Sequence, residues 1–216
     1  MHSALFLYEY DQAAKASTGA SALVGIDEAG RGPLAGPVVV AGVILPLESD
    51  SQLQVYDSKA LTVAKRDELA RELKATPGVR YAIEVISAQR IDEVNILRAT
   101  HEGMRAVAQK LGADFALVDG LSVPRFPVPA RFVVKGDATS ASIATASILA
   151  KTTRDELLVA LDAQYPEYGF ASHKGYGTRE HLEALRKHGP CPEHRRSFAP
   201  VRAVIDPPPI QLELPI

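Results

Sequence analysis

The chain has 216 residues and a formal net charge of −2, with 46% hydrophobic and 23% charged residues. That balance supports a sizeable core and excludes wholesale disorder. Any binding of a polyanion must rest on Lys and Arg gathered locally, because no overall basic excess exists.

Residues 1–20 read as a short, loosely helical extension, followed by one domain over 21–205 and a flexible, proline-rich tail over 206–216. No apolar run approaches the length of a membrane span, and no signal-peptide pattern opens the chain, so a cytoplasmic protein without membrane association is expected. The single cysteine, Cys191, fits that reducing setting and excludes an intramolecular disulfide and a cysteine-built zinc site. Ala22 to Ile26 reads as a buried strand, and the β-branched run Pro37 to Leu45 as a second. Thr62 is an N-cap for a helix running to about Ala75. Val79 to Ile86 predicts a third strand, and Ser87 to Leu111 a helical stretch broken near Asn95. Phe115–Val118 and Arg131–Val134 predict two short strands. A long alanine-rich helix follows from Ser140 to Tyr165, then a last helix from Arg179 to His188. Strands first, then alternation with helices, indicates an α/β domain built on a mixed sheet.

Four acids share one local pattern, each within a few residues of an apolar run. Asp27 and Glu28 follow Leu-Val-Gly-Ile, Asp119 follows Ala-Leu-Val, and Asp137 follows Phe-Val-Val-Lys-Gly. Strand ends gather side chains from distant parts of a sequence into one place. Carboxylates clustered without intervening cations repel one another, and become favourable when hard divalent cations sit among their oxygens. Taken singly, Asp119 or Asp137 reads as an ordinary turn acid. Asp27 and Glu28 are strand neighbours and face opposite sides, so both serve one site only if the strand ends or twists there.

The run Asp27-Glu28-Ala29-Gly30-Arg31-Gly32-Pro33-Leu34-Ala35-Gly36-Pro37-Val38 closely resembles type 2 ribonuclease H, ribonuclease HII. The match continues in order at Asp57-Ser58-Lys59, Leu117-Val118-Asp119-Gly120, Lys135-Gly136-Asp137, Ser142 to Lys151, Arg154-Asp155, His173 to Thr178 and His194 to Phe198. It spans about residues 22 to 203. The resemblance implies a ribonuclease H-like fold: a mixed five-stranded sheet flanked by helices, with a C-terminal helical segment. It also implies two-metal hydrolysis, with two Mg²⁺ or Mn²⁺ ions held by Asp27, Glu28, Asp119 and Asp137. The implied activity is an endoribonuclease that cuts the RNA strand of RNA-DNA hybrids and nicks 5′ of single ribonucleotides in duplex DNA. It would leave a 3′-hydroxyl and a 5′-phosphate, in ribonucleotide removal during replication and repair. By the same resemblance, Gly30, Arg31 and Gly32 contact 2′-hydroxyls, and Tyr176 packs on the sugar at the DNA side of the junction.

These residue types suit those roles. The 2′-hydroxyl is what separates RNA from DNA locally, and a glycine-flanked loop approaches it without side-chain bulk. Arg31 forks onto a phosphate, and Lys59 and Lys174 are candidate phosphate contacts. Thr145 stands where the resembled family usually has alanine, a change a packed helix accommodates. Residues 173–196 hold four of the six histidines and six Lys or Arg against three Glu, which makes this stretch the candidate duplex-facing surface. Asp155 is expected to pair with a base outside the metal shell. The tail Gln211-Leu212-Glu213-Leu214-Pro215-Ile216 resembles peptides that dock on bacterial sliding clamps, with three prolines as a stiff spacer. Two rival functions share the fold: a DNA-strand nuclease, opposed by the glycine loop and Tyr176, and a non-catalytic hybrid-binding module, opposed by the four carboxylates.

Overall fold

A computed structural model describes residues 4–47 and 62–207. In chain order they form α1 (Ala4–Thr18), β1 (Leu23–Ala29), β2 (Val38–Ile44), α2 (Val63–Ala75), β3 (Arg80–Ile86), α3 (Ala88–Val94), α4 (Ile96–Lys110), β4 (Phe115–Asp119) and β5 (Ala130–Val133). After a 3₁₀ turn at Gly136–Ala138 come α5 (Ala141–Gln164), a second 3₁₀ turn at Pro166–Tyr168, α6 (Phe170–His173), α7 (Arg179–His188) and α8 (Ala199–Ile205).

The strands form one five-stranded mixed sheet in the order β3-β2-β1-β4-β5. β1 and β2 run antiparallel, as do β2 and β3, whereas β1–β4 and β4–β5 are parallel. Helix α4 covers one face, packing Met104, Val107 and Leu111 on Val24, Ile26, Val40 and Val118. Helices α5, α2 and α1 cover the other, with Ile148, Leu73 and Leu7 around Val39, Ala41 and Val43. A strand covered on both faces needs apolar residues without alternation, and every residue of β2 is buried.

Local sequence explains the helix limits. The Thr62 side chain accepts the Lys65 N–H and starts α2. At Asn95 a positive φ of 70° separates α3 from α4, and the asparagine side chain caps α4 by accepting the Arg98 N–H. Ser140 caps α5 through the Ile143 N–H. Thr145 is buried and its hydroxyl donates to the Ala141 carbonyl at 2.7 Å, so the departure from alanine is satisfied within its own helix.

The N-terminal helix is built into the body. Leu7, Tyr8 and Ala14 are buried, and so is Asp11, whose carboxylate accepts the Ser142 N–H at 2.7 Å in the first turn of α5. Burial raises the Asp11 pKa to about 6, against the pull of its serine hydrogen bonds. Two short helices, α6 and α8, were not legible from periodicity, because neither is long enough to show it. Among the described residues no helix is long and apolar enough to cross a membrane.

Candidate active site

β4 pairs with β1 only as far as Ile26, opposite Val118, so the last residues of β1 have an open side. Asp27 and Glu28 lie there, with Asp119 closing the adjacent strand. Pleating puts Glu28 on the face of its cross-strand partner Val40, toward α4, and Asp27 on the face of Ala41, toward α5. Both still line one cavity of about 340 Å³, together with Asp119, Gly30 and Tyr176. Strand alternation is preserved, and the open strand end is what lets both acids reach one space.

The acids are electrostatically uncomfortable. Burial raises the Asp27 pKa well above the ordinary carboxylate value, and repulsion from Glu28 and Asp119 adds to it, against a hydrogen bond from Ser147. Burial also raises Glu28, opposed by Arg31 and reinforced by Asp119. Glu28 Oε1 accepts from Arg31 Nη1 at 3.3 Å, while Glu28 Oε2 is buried with no hydrogen-bond partner. Asp119 Oδ1 accepts the Gly136 N–H at 2.6 Å. With Glu28 drawn to Arg31 and Asp119 to that amide, no three His, Cys, Asp or Glu side chains among the described residues close on a common point. A donor set of hard oxygens, one of them orphaned, at carboxylates that resist ionisation fits divalent cations.

Asp137 is placed differently. Lys135 takes a left-handed φ of 57° and turns the chain into the 3₁₀ turn after β5, where Asp137 is buried and does not line the cavity. Its neighbour Gly136 links that turn to Asp119. Lys59 and the tail Gln211 to Ile216 lie outside the described residues. Lys174 is half-buried with Nζ donating to the Ala171 carbonyl at 2.5 Å, and it does not line the cavity.

The opposite wall is formed by Gly30, Arg154 and Tyr176 and backed by the loop from Gly30 to Pro37, of which Arg31 and Gly32 do not line the cavity. Two arginines hold that loop, buried without a carboxylate in hydrogen-bond contact. Arg195, fully buried, donates from Nε to the Gly36 carbonyl at 3.0 Å, from Nη1 to Arg31 at 2.9 Å and from Nη2 to Gly30 at 2.6 Å. Arg154 donates to the carbonyls of Pro37, Ala35 and Lys174 at 3.1, 3.2 and 3.0 Å. Burial, with Arg154 nearby, lowers the Arg195 pKa to about 9, which still leaves a cation at neutral pH. Gly30 has a φ of +96°, and any Cβ there would collide with the Arg154 side chain. Gly175, at φ +79°, presses on the Ala35 carbonyl, where a Cβ would lie at 2.5 Å. The Leu34 N–H donates to the Gly175 carbonyl at 2.8 Å. The glycine loop and the Tyr176 turn are thus bolted together. The Tyr176 ring is about half exposed, and a Cβ built on Gly32 would meet it at 3.6 Å.

The sequence reading missed several members of this site. Ser147 and Lys151, four residues apart on α5, face the cavity, as does Arg66 from α2. Asp155 accepts from Lys151 at 2.5 Å and Arg66 at 3.4 Å, the expected pairing with nearby bases. The basic stretch 173–196 requires a correction. His181, His194 and Arg195 point inward and are fully buried, because they satisfy backbone groups of the loop and turn; Arg179, Arg186, Lys187 and Arg196 remain on the surface.

The sequence pattern of the family described as Ribonuclease HII matches residues 24–201. The ribonuclease HII of Chlamydia caviae is 51% identical over 189 residues, covering 87% of this chain and 88% of that protein. In structure, the ribonuclease H2 of Pyrococcus horikoshii superimposes with a TM-score of 0.71 at 26% identity, covering 84% of this chain and 96% of that one. The Archaeoglobus fulgidus ribonuclease HII, solved as a complex with PCNA, gives a TM-score of 0.66 at 28% identity over 76% of this chain and 85% of that one. With its sheet order, its strand-end acids and this similarity over most of its length, the chain belongs to the ribonuclease HII family of enzymes.

Proposed function

We propose that this enzyme hydrolyses the RNA strand of RNA-DNA hybrids and nicks 5′ of single ribonucleotides embedded in duplex DNA, leaving 3′-hydroxyl and 5′-phosphate ends. The observation that carries the reading is the facing of two unlike walls across one cavity: buried, mutually repelling acids, and a glycine loop with an aromatic ring over it. Asp27, Glu28 and Asp119 would hold two Mg²⁺ or Mn²⁺ ions, with Asp137 joining them from the adjoining turn. Bound there, the cations would supply Lewis-acid activation of the attacking water and charge neutralisation at the departing 3′ oxygen. The chain's own groups do the rest. Asp27 is steadied by Ser147. Gly30, Arg31 and Gly32 present backbone and a guanidinium to the ribose and its phosphate, with the 2′-hydroxyl as the group read. Tyr176 presses on the neighbouring sugar. Lys59 and Lys174 would contact phosphates, Lys174 after leaving its carbonyl partner.

The tail from Gln211 to Ile216 is proposed to dock on a sliding clamp, in a replication and repair setting in the cytoplasm. The PCNA complex of the Archaeoglobus relative supports that reading. Removal of residues 207–216 is expected to abolish clamp binding, and unchanged affinity would rule the tether out.

The test of the activity is a DNA duplex carrying one ribonucleotide, incubated with wild type and Asp119→Asn, with metal and with chelator. Wild type plus metal is expected to nick 5′ of the ribonucleotide, and the other combinations to leave the duplex intact. Cutting in chelator, or full activity of Asp119→Asn, would defeat the mechanism.

A further inference from the structure

Behind the Tyr176 turn lies a group of buried imidazoles that the proposed chemistry does not use. His181 on α7 and His194 face each other Nε2 to Nε2 at 3.0 Å, both fully buried. The Cys191 N–H donates to His194 Nδ1 at 3.1 Å. His181 Nδ1 lies 2.8 Å from the Tyr176 carbonyl.

Cys191 Sγ also lies 3.1 Å from His194 Nδ1, where its S–H can donate alongside the amide. With the amide N–H directed at that nitrogen, the contacts favour one arrangement of protons. An amide N–H fixes His194 Nδ1 as an acceptor, so the neutral ring carries its proton on Nε2. That proton points at His181 Nε2, which must then accept. His181 therefore carries its proton on Nδ1 and donates it to the Tyr176 carbonyl. Each bond determines the next, from Cys191 through two rings to Tyr176. His173, stacked on His181 with centroids 4.4 Å apart, is fixed by the same logic: it accepts the Gly175 N–H at 3.2 Å and donates to the Tyr168 carbonyl at 2.7 Å. Burial favours the neutral state of the facing pair, lowering His194 to about 4, with repulsion from His181 adding to it, and lowering His181 as well.

We infer that His181 and His194 are positioning residues, a neutral two-imidazole relay that fixes the Tyr176 turn and thereby sets how well the enzyme tells a ribose-to-deoxyribose junction from continuous RNA. The inference rests on the proposed reading of Tyr176 as the sugar-contacting ring. The turn is joined to the glycine loop through the Leu34 N–H to Gly175 carbonyl bond, so loss of the relay displaces the ring from its place over Gly32. Asparagine at 181 puts an amide N–H near the position of Nδ1 and retains the donor to Tyr176. Glutamine puts its amide near Nε2 and loses that donor.

The experiment compares kcat/KM on a duplex with one embedded ribonucleotide against a continuous RNA-DNA hybrid, for full-length wild type, His181→Gln, His181→Asn and Tyr176→Ala. A purely structural role would lower both values together and leave their ratio fixed. The ratio is expected to fall by up to about 10²-fold in His181→Gln, the scale of a roughly 1 Å misplacement in a catalytic site, and to be only partly rescued in His181→Asn, which keeps the donor to Tyr176 but loses the acceptor for His194. A wild-type ratio in His181→Gln, with Tyr176→Ala altered, would overturn the relay and leave the sugar reading standing. A wild-type ratio in Tyr176→Ala would overturn the sugar reading itself. Imidazole ¹⁵N shifts of the wild type decide the matter even if His181→Gln does not fold: protons on His181 Nδ1 and His194 Nε2 are expected, and the opposite tautomer of either ring would refute the relay.

Discussion

The two walls of the cavity are built on opposite terms. On the acid wall Asp27 and Glu28 are buried or nearly so, repel Asp119, and leave Glu28 Oε2 without a partner. On the loop wall, Arg195, Arg154, His181 and His194 are buried too, yet each spends its donors on named backbone carbonyls or on the next ring. One wall leaves a buried carboxylate oxygen without a partner, which suits the proposed cations; the other makes its hydrogen bonds within the protein itself. Pre-organisation is most useful where a single hydroxyl must be recognised, and unrelieved repulsion is most useful where a cation must be attracted.

The largest expected effect breaks the acid wall. Asp119→Asn should lower cleavage at least about 10³-fold, on the scale of a lost metal ligand, while circular dichroism and melting remain close to wild type. A comparable loss of folding would mean that the acid is structural. Breaking the other wall should show the reverse balance. Arg195→Met leaves the Gly30, Arg31 and Gly36 carbonyls without that donor, at a cost of about 3 kcal/mol in urea unfolding. An unchanged midpoint would show that the loop holds without its anchor. Gly30→Ala must adopt φ +96° and displace Arg154, a strain of about 2 kcal/mol, with activity falling further than stability accounts for.

The smallest effect separates the walls by sign. Burial raises the folded-state pKa of Asp27, so the folded protein holds that proton more tightly than the unfolded chain. The associated stability is present at low pH and is lost as pH rises through the folded value. Asp27→Asn, measured without metal, should therefore be more stable than wild type at pH 8, by about 1 kcal/mol as for other relieved active sites, and the gain should shrink toward pH 5. A pH-independent difference would contradict the electrostatic account.

The two walls also differed in how much of them could be read from sequence. Asp27, Glu28 and Asp119 could be found because each follows an apolar run, and the Asn95 break followed from its capping side chain; β1, however, continues to Ala29 past the expected end at Ile26, so Asp27 and Glu28 lie within the strand. The anchors of the loop wall could not. Arginine and histidine are residues of the surface by type, and the Arg195 partner at Gly30 lies 165 positions away. Only the fold brings those carbonyls to the guanidinium, so a stretch that looked like a basic exterior is half interior. Asp137 was legible as an acid after a strand, but the left-handed residue at Lys135 and the 3₁₀ turn that carries Asp137 were not.

The central claim is that the acid wall is completed by divalent cations and the loop wall is not. Its most direct measurement is the melting temperature of the protein without substrate, followed as Mn²⁺ is added to wild type and to the Asp27→Asn, Asp119→Asn double variant. Ligand binding to the folded state should give wild type a saturable rise and the double variant none. Equal rises in both, or no rise in wild type, would contradict the account.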